Sequence, residues 1–136
     1  MIPKRRTRQR MMLPKPDAPI RCDGHLKWVR GHNCVCVEID PTGCGGRIEA
    51  AHVRRGTDGG IGSKPGDNWT LPACSNHHAE QHRVGEQTFE KTYKLSMKKI
   101  AASLWQRSPH RIPYERKQAS LLSSPKDPNT TAQGES

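Results

Sequence analysis

Aromatic residues are scarce: one Phe, two Tyr and three Trp make up 4% of the 136 residues, and apolar residues of every kind reach only 32%. A chain this short and polar buries too little apolar surface to hold a rigid fold on packing alone, so an additional staple is expected. Long hydrophobic runs are missing too. Met11–Leu13 and Ile100–Ala102 are among the longest, far short of the roughly 20 residues of a membrane span, so a transmembrane protein is not expected. The first residues are basic but have no apolar stretch leading to a small-residue cleavage site, so a secretory signal is not expected either. No internal repeat is visible, and the length supports one small domain with tails.

Acidic residues are outnumbered, 13 against 23 Lys and Arg, which gives a net charge of +10. The excess is uneven. Residues 1–20 carry six basic residues and one acidic, residues 21–108 thirteen and nine, and residues 109–136 four and three. Half of the surplus therefore sits on a short proline-containing segment, expected to be a flexible basic arm. A pI near 9.8 with such an arm suits a polyanionic partner, most simply nucleic acid. Residues 109–136 hold four prolines with many Ser, Thr and Gln and no apolar period, and are expected to be disordered. Residues 21–108 remain as the folded unit.

Within that unit Asp23–Arg30 suggests a short helix or turn. Cys34–Ile39 leads into an Asp40-Pro41-Thr42-Gly43 turn, and Arg47–Val53 has the pattern of a strand ending near a histidine. Five glycines and a proline between Gly56 and Gly66 require a loop. Trp69–Leu71 suggests a second strand. Ser75 or Asn76 can N-cap a helix closed by Gly85. A last helix from about Gln87 would place Phe89, Tyr93, Met97, Ile100, Ala101 and Leu104 on one face. The expected fold is α+β: a small ββα metal finger with an appended amphipathic helix.

Five cysteines at positions 22, 34, 36, 44 and 74 are an odd set in a chain without an export signal, which favours metal binding over disulfides. Three of the seven histidines, His77, His78 and His82, follow Cys74 closely. His78 and His82 are i and i+4, on one helical face and close enough to share an ion. Cys74 and His77 have knuckle spacing, and adjacent helical residues diverge by about 100°, so His77 and His78 should serve separate sites. A closed structural zinc site is expected from Cys34, Cys44, Cys74 and His77, with Cys36 as a substitute for one of the earlier cysteines. Such a site would supply the folding energy the thin core lacks. Two histidines alone leave coordination positions open, as a catalytic ion requires.

At these residues the sequence resembles the HNH endonuclease superfamily, the ββα-metal nucleases. The shared pattern is Ala51-His52, then Asp67-Asn68, then Cys74-x2-His77-His78-x3-His82. The surrounding run through residue 95 is similar to small phage and prophage HNH proteins and to related RecA-dependent recombination nucleases. The resemblance implies that His52 is the general base and that His78 and His82 hold one divalent ion, Mg²⁺ or Mn²⁺, on the scissile phosphate. Asp67 or Asn68 would be either a metal ligand or the group fixing the His52 loop, with Asp67 the favoured ligand because a carboxylate is the harder donor. Many members have Asp or His just before the base, where this chain has Ala51; Glu49 lies on the same strand face two residues back.

The implied activity is metal-dependent hydrolysis of DNA phosphodiester bonds in the cytoplasm of a bacterium, in phage or prophage DNA recombination or processing. A recombinase filament or phage recombination proteins are the implied partners beside DNA itself. The other reading is a non-catalytic, zinc-stabilised nucleic-acid-binding module of the same fold. In either case affinity would come mainly from phosphate contacts by Lys4, Arg5, Arg6, Arg8, Arg10, Arg54 and Arg55.

Overall fold

The two segments that flank the glycine-rich stretch pair as an antiparallel ribbon. In the computed structural model, which describes residues 18–59 and 64–122, helix α1 (Asp23–Arg30) comes first and a single 3-10 turn (Pro41–Gly43) follows. Strands β1 (Ile48–His52) and β2 (Thr70–Cys74) pair with Ile48 opposite Cys74 and His52 opposite Thr70. Helices α2 (Ser75–Val84), α3 (Glu86–Tyr93), α4 (Met97–Arg107) and α5 (Arg111–Leu122) follow β2. The protein is thus α+β, with a two-stranded sheet and five α-helices among the described residues. No helix among the described residues is long and apolar enough to cross a membrane. The arm residues Lys4, Arg5, Arg6, Arg8 and Arg10 lie outside the described residues, as do 60–63 and 123–136.

Every residue of β2 is buried, because α1, α2 and α4 all pack against this strand. Pro72 cannot donate to a ladder, and its carbonyl accepts from the Val35 N–H at 3.0 Å, tying the cysteine-bearing segment to the sheet. Leu71, Ala73, Ala51 and Val53 form the core with Phe89, Tyr93, Met97, Ala101 and Leu104; the one Phe of the chain is among its largest enclosed side chains.

The expected single helix from Gln87 is two helices. Lys94, at φ 52°, turns the chain left-handed after α3, and Ser96 then caps α4, its Oγ accepting from the Lys99 N–H. The apolar stripe survives the break: five of its six residues are buried and Ile100 is partly so. The start of α2 also differs from expectation. Cys74, not Ser75 or Asn76, is its N-cap, with Sγ accepting from the His77 N–H at 3.4 Å. Gly85 closes α2 as expected.

Disorder across residues 109–136 is corrected for Arg111–Leu122, which is helical. Its run of Glu, Arg, Lys, Gln, Ala and Leu favours helix, and Pro113 falls in the first turn, where no intrahelical N–H is needed. Tyr114 meets the edge of Trp105 with ring centroids 6.0 Å apart, which holds α5 to α4.

Candidate functional site

Three segments converge at the start of α2. The turn from Cys34 to Asp40 brings Cys34 in, the 3-10 turn brings Cys44, and the β2–α2 junction brings Cys74 and His77. The ligand atoms of Cys34, Cys44, Cys74 and His77 all lie within 4.8 Å of one another. His77 Nδ1 faces Cys74 Sγ at 3.1 Å and Cys34 and Cys44 Sγ at 3.5 Å each. Sulfur and nitrogen on a tetrahedral zinc ion are separated by about 3.5 Å, given bonds of about 2.3 and 2.0–2.1 Å. The donor set and spacing fit a structural metal such as zinc.

The second nitrogen of His77, Nε2, lies 3.0 Å from Asp40 Oδ2. This carboxylate–histidine pairing fixes Nδ1 as the nitrogen turned to the sulfurs. The hydrogen bond with His77 holds Asp40 below the usual carboxylate range. Burial would lower the His77 imidazole, but Asp40 and Cys74 together bring it above its usual value. Burial likewise raises the Cys74 thiol, and the opposing hydrogen bonds from the His77 and Gly45 backbone and the His77 ring bring it down to about 7. Cys74 therefore gives up its proton near neutral pH, as a metal ligand must.

Cys36 does not belong to this cluster, which corrects its role as a substitute ligand. The backbone bonds Val37 N–H to Cys34 O and Asp40 N–H to Cys36 O wind the segment so that Cys36 enters the core. There burial pushes its thiol up to about 12.

The other face of α2 borders a groove of about 550 Å³ lined by His52, Arg54, Lys64, His78, Gln81, His82 and Glu86, among others. β1 delivers His52 and α2 delivers the histidine pair. His78 and His82 approach with their Nε2 atoms 3.0 Å apart. Glu49 reaches across from β1, its Oε1 2.9 Å from His78 Nδ1. An ionised carboxylate only accepts, so Nδ1 carries the proton and the lone pair of His78 lies on Nε2, facing His82.

Asp67 is buried against His52 instead of joining His78 and His82; among the described residues no third Asp, Glu, Cys or His completes a ligand cluster with that pair. This corrects Asp67 as the favoured metal ligand. Its Oδ1 lies 3.0 Å from His52 Nε2, and its Oδ2 accepts from the Cys22 N–H at 2.8 Å. The Asp67 N–H in turn donates to Ile20 O, so the carboxylate is built into a crossing of two backbone segments. Asn68 is partly buried, and its side-chain oxygen has no hydrogen-bond partner. Burial lowers the His52 imidazole more than the Asp67 hydrogen bond raises it, so His52 is neutral at physiological pH. Its proton is on Nε2, toward Asp67, and Nδ1 is left as the basic nitrogen.

Three supporting groups were assigned no role from the sequence. Asp40 read only as a turn residue. Glu86 accepts from the backbone N–H groups of Arg54 and Arg55 at 2.9–3.1 Å and so fixes the bend after His52. Arg21 donates to the carbonyls of Lys64 and Pro65, holding the far end of the glycine loop.

The fold and the cysteine–histidine cluster define an α+β protein built around a Cys3His site able to hold a structural metal. Residues 3–108 match the family model described as a protein of unknown function (DUF968), and the chain belongs to that family. No curated protein and no solved structure matches the chain.

Proposed function

We propose that the protein is a metal-dependent DNA endonuclease of the ββα-metal type, acting in phage or prophage DNA recombination or processing. The observation that carries this reading is the groove in which His52 and the His78–His82 pair meet, with Arg54 and Lys64 as cationic lining. Two nitrogens at right angles on one ion, each about 2.1 Å from it, would be ~3.0 Å apart. The His78 and His82 nitrogens have that spacing. A hard divalent ion such as Mg²⁺ or Mn²⁺ held there supplies Lewis-acid stabilisation of charge on a phosphate and on its leaving 3′ oxygen.

The residues of the chain do the rest. His52 Nδ1 takes a proton from water as the water oxygen bonds to phosphorus and the bond from phosphorus to the 3′ oxygen breaks. The products are a 5′-phosphate and a 3′-hydroxyl, the latter protonated from solvent. Asp67 keeps the second imidazole proton on Nε2 and stabilises the imidazolium that forms. Glu49 keeps the His78 proton on Nδ1, which leaves Nε2 to face the ion.

The second reading, a zinc-stabilised nucleic-acid-binding module without catalysis, draws on one specific feature. Ala51 offers no ligand, and the nearby Glu49 carboxylate is engaged by His78 Nδ1. The deciding experiment is a plasmid cleavage assay with purified protein, with and without Mg²⁺ or Mn²⁺. Wild type should cleave, and His52→Ala should cleave about 10²–10⁴ times more slowly with its metal content unchanged and its fold retained. Wild-type rates in His52→Ala would remove His52 as the base. No cleavage by wild type with either ion would leave the binding module.

A further inference from the structure

A second groove, of about 530 Å³, opens on the other side of His78 and is lined by Arg30, Arg47, Ile48, Glu49, Ala50 and His78. His78 also lines the groove that contains His52, so that imidazole borders both grooves. They lie along β1: the second groove borders its first residues, and the first borders its last residue and the bend beyond. We propose that the second groove is a phosphate-binding subsite, in which Arg30 and Arg47 hold the DNA backbone a few nucleotides from the bond to be cut. This rests on the nuclease reading and adds to it a direction for the substrate.

The argument is one of charge and position. Arg47 immediately precedes β1 and its side chain is 85% exposed, with Glu49 at 3.8 Å as a distant partner. Arg30 ends α1, and its charge there suits the helix dipole. That local benefit accounts for a cation in the last turn but not for a second guanidinium across the same groove. Glu49, the one carboxylate in the lining, is already shared between His78 and Arg47. The groove therefore keeps a net positive charge beside the histidine pair. Guanidinium groups match phosphate oxygens in geometry as well as charge.

Spacing gives the direction. Arg47 and His52 are five residue steps apart, about 17 Å at 3.3–3.4 Å per residue. For a duplex whose axis runs along β1, rising 3.4 Å per nucleotide, that is about five nucleotides of axial rise. A duplex so aligned would place one phosphate near His52 and others within reach of Arg47 and Arg30.

The test compares full-length wild type, Arg30→Gln/Arg47→Gln and a control, Arg107→Gln, in binding a 30-base-pair duplex across a salt series without chelator. Arg107 ends α4 and lines neither groove. Loss of two phosphate contacts should flatten the slope of log K against log salt by about 1.8, while the control slope stays at wild type. Cleavage measured alongside should fall at subsaturating DNA and recover at saturation. Equal slopes for the double variant and wild type, with wild type still binding and cleaving, would overturn the subsite and leave the nuclease reading standing. A flattening of about 0.9 in Arg107→Gln, half that of the double variant, would also overturn it, because the loss of any one charge would then account for the effect. No binding of the duplex by wild type would overturn both readings.

Discussion

One carboxylate, Asp67, accepts from one backbone N–H and one imidazole, with the Arg21 guanidinium 3.6 Å away, so a single atom exchange there has a specific outcome. In Asp67→Asn the amide can accept through oxygen from only one of its two partners, Cys22 N–H or His52 Nε2–H. The other partner then faces an NH₂ group. The arrangement with the lower cost keeps the rigid backbone bond to Cys22 and turns the NH₂ toward His52, whose proton must then move to Nδ1. Cleavage should fall by about 10²–10⁴ because the basic nitrogen is lost. Stability should fall by about 1–3 kcal/mol if instead the Cys22 N–H is left unpaired. Nitrogen chemical shifts of the His52 ring separate the two: a proton moved to Nδ1 supports the positioning role, and an unchanged tautomer with an unchanged rate would refute it.

At the scale of elements, the sequence was legible wherever a local cue was sufficient. The histidine pair, the knuckle and the glycine loop were each readable from spacing. So was the set Cys34, Cys44, Cys74 and His77, because two short-range pairs fit one tetrahedral ion. Lys94 was not readable as a break, since nothing in its identity signals a positive φ and the apolar stripe runs through it in register. Asp67 misled because hardness as a donor says nothing about which backbone segments a buried carboxylate has to satisfy. Gly85, by contrast, was identifiable and its requirement can be tested. It has φ 88° and ψ 156°, a region that side chains avoid, yet a Cβ there would meet nothing within 4 Å. Gly85→Ala should thus destabilise by about 1–3 kcal/mol through backbone strain alone. Chemical denaturation would show this as a lower midpoint with an unchanged slope, and an unaltered midpoint would mean that the α2–α3 junction relaxes freely.

For the molecule as a whole, the cysteine–histidine cluster joins segments that the small apolar core would leave loosely held. Structural zinc in finger peptides contributes about 10–16 kcal/mol of apparent binding free energy, as much as the full stability of a small domain. Stripping the metal with a strong chelator should therefore unfold residues 21–108 cooperatively, and circular dichroism unchanged by chelation would refute the staple. Acid should act at a second place as well. His25 is fully buried between Trp28 and Trp105, with Nδ1 2.8 Å from Ser108 Oγ and Nε2 unpaired. Burial, and then the neighbouring His110, lower its pKa to about 4 from 6.5, with His32 adding to this and Asp67 opposing it. The fold thus favours neutral His25. Its contribution is fully present above pH 6.5 and is lost as pH falls from 6.5 toward 4, by about 3 kcal/mol in all. Loss of metal from protonated thiols acts in the same direction, so the measurement is a difference. His25→Phe keeps an aromatic ring between the two indoles and cannot titrate. Denaturation midpoints taken between pH 7 and pH 4 with saturating zinc should fall less steeply in the variant than in wild type. Parallel curves would assign the whole of the acid sensitivity to the metal cluster.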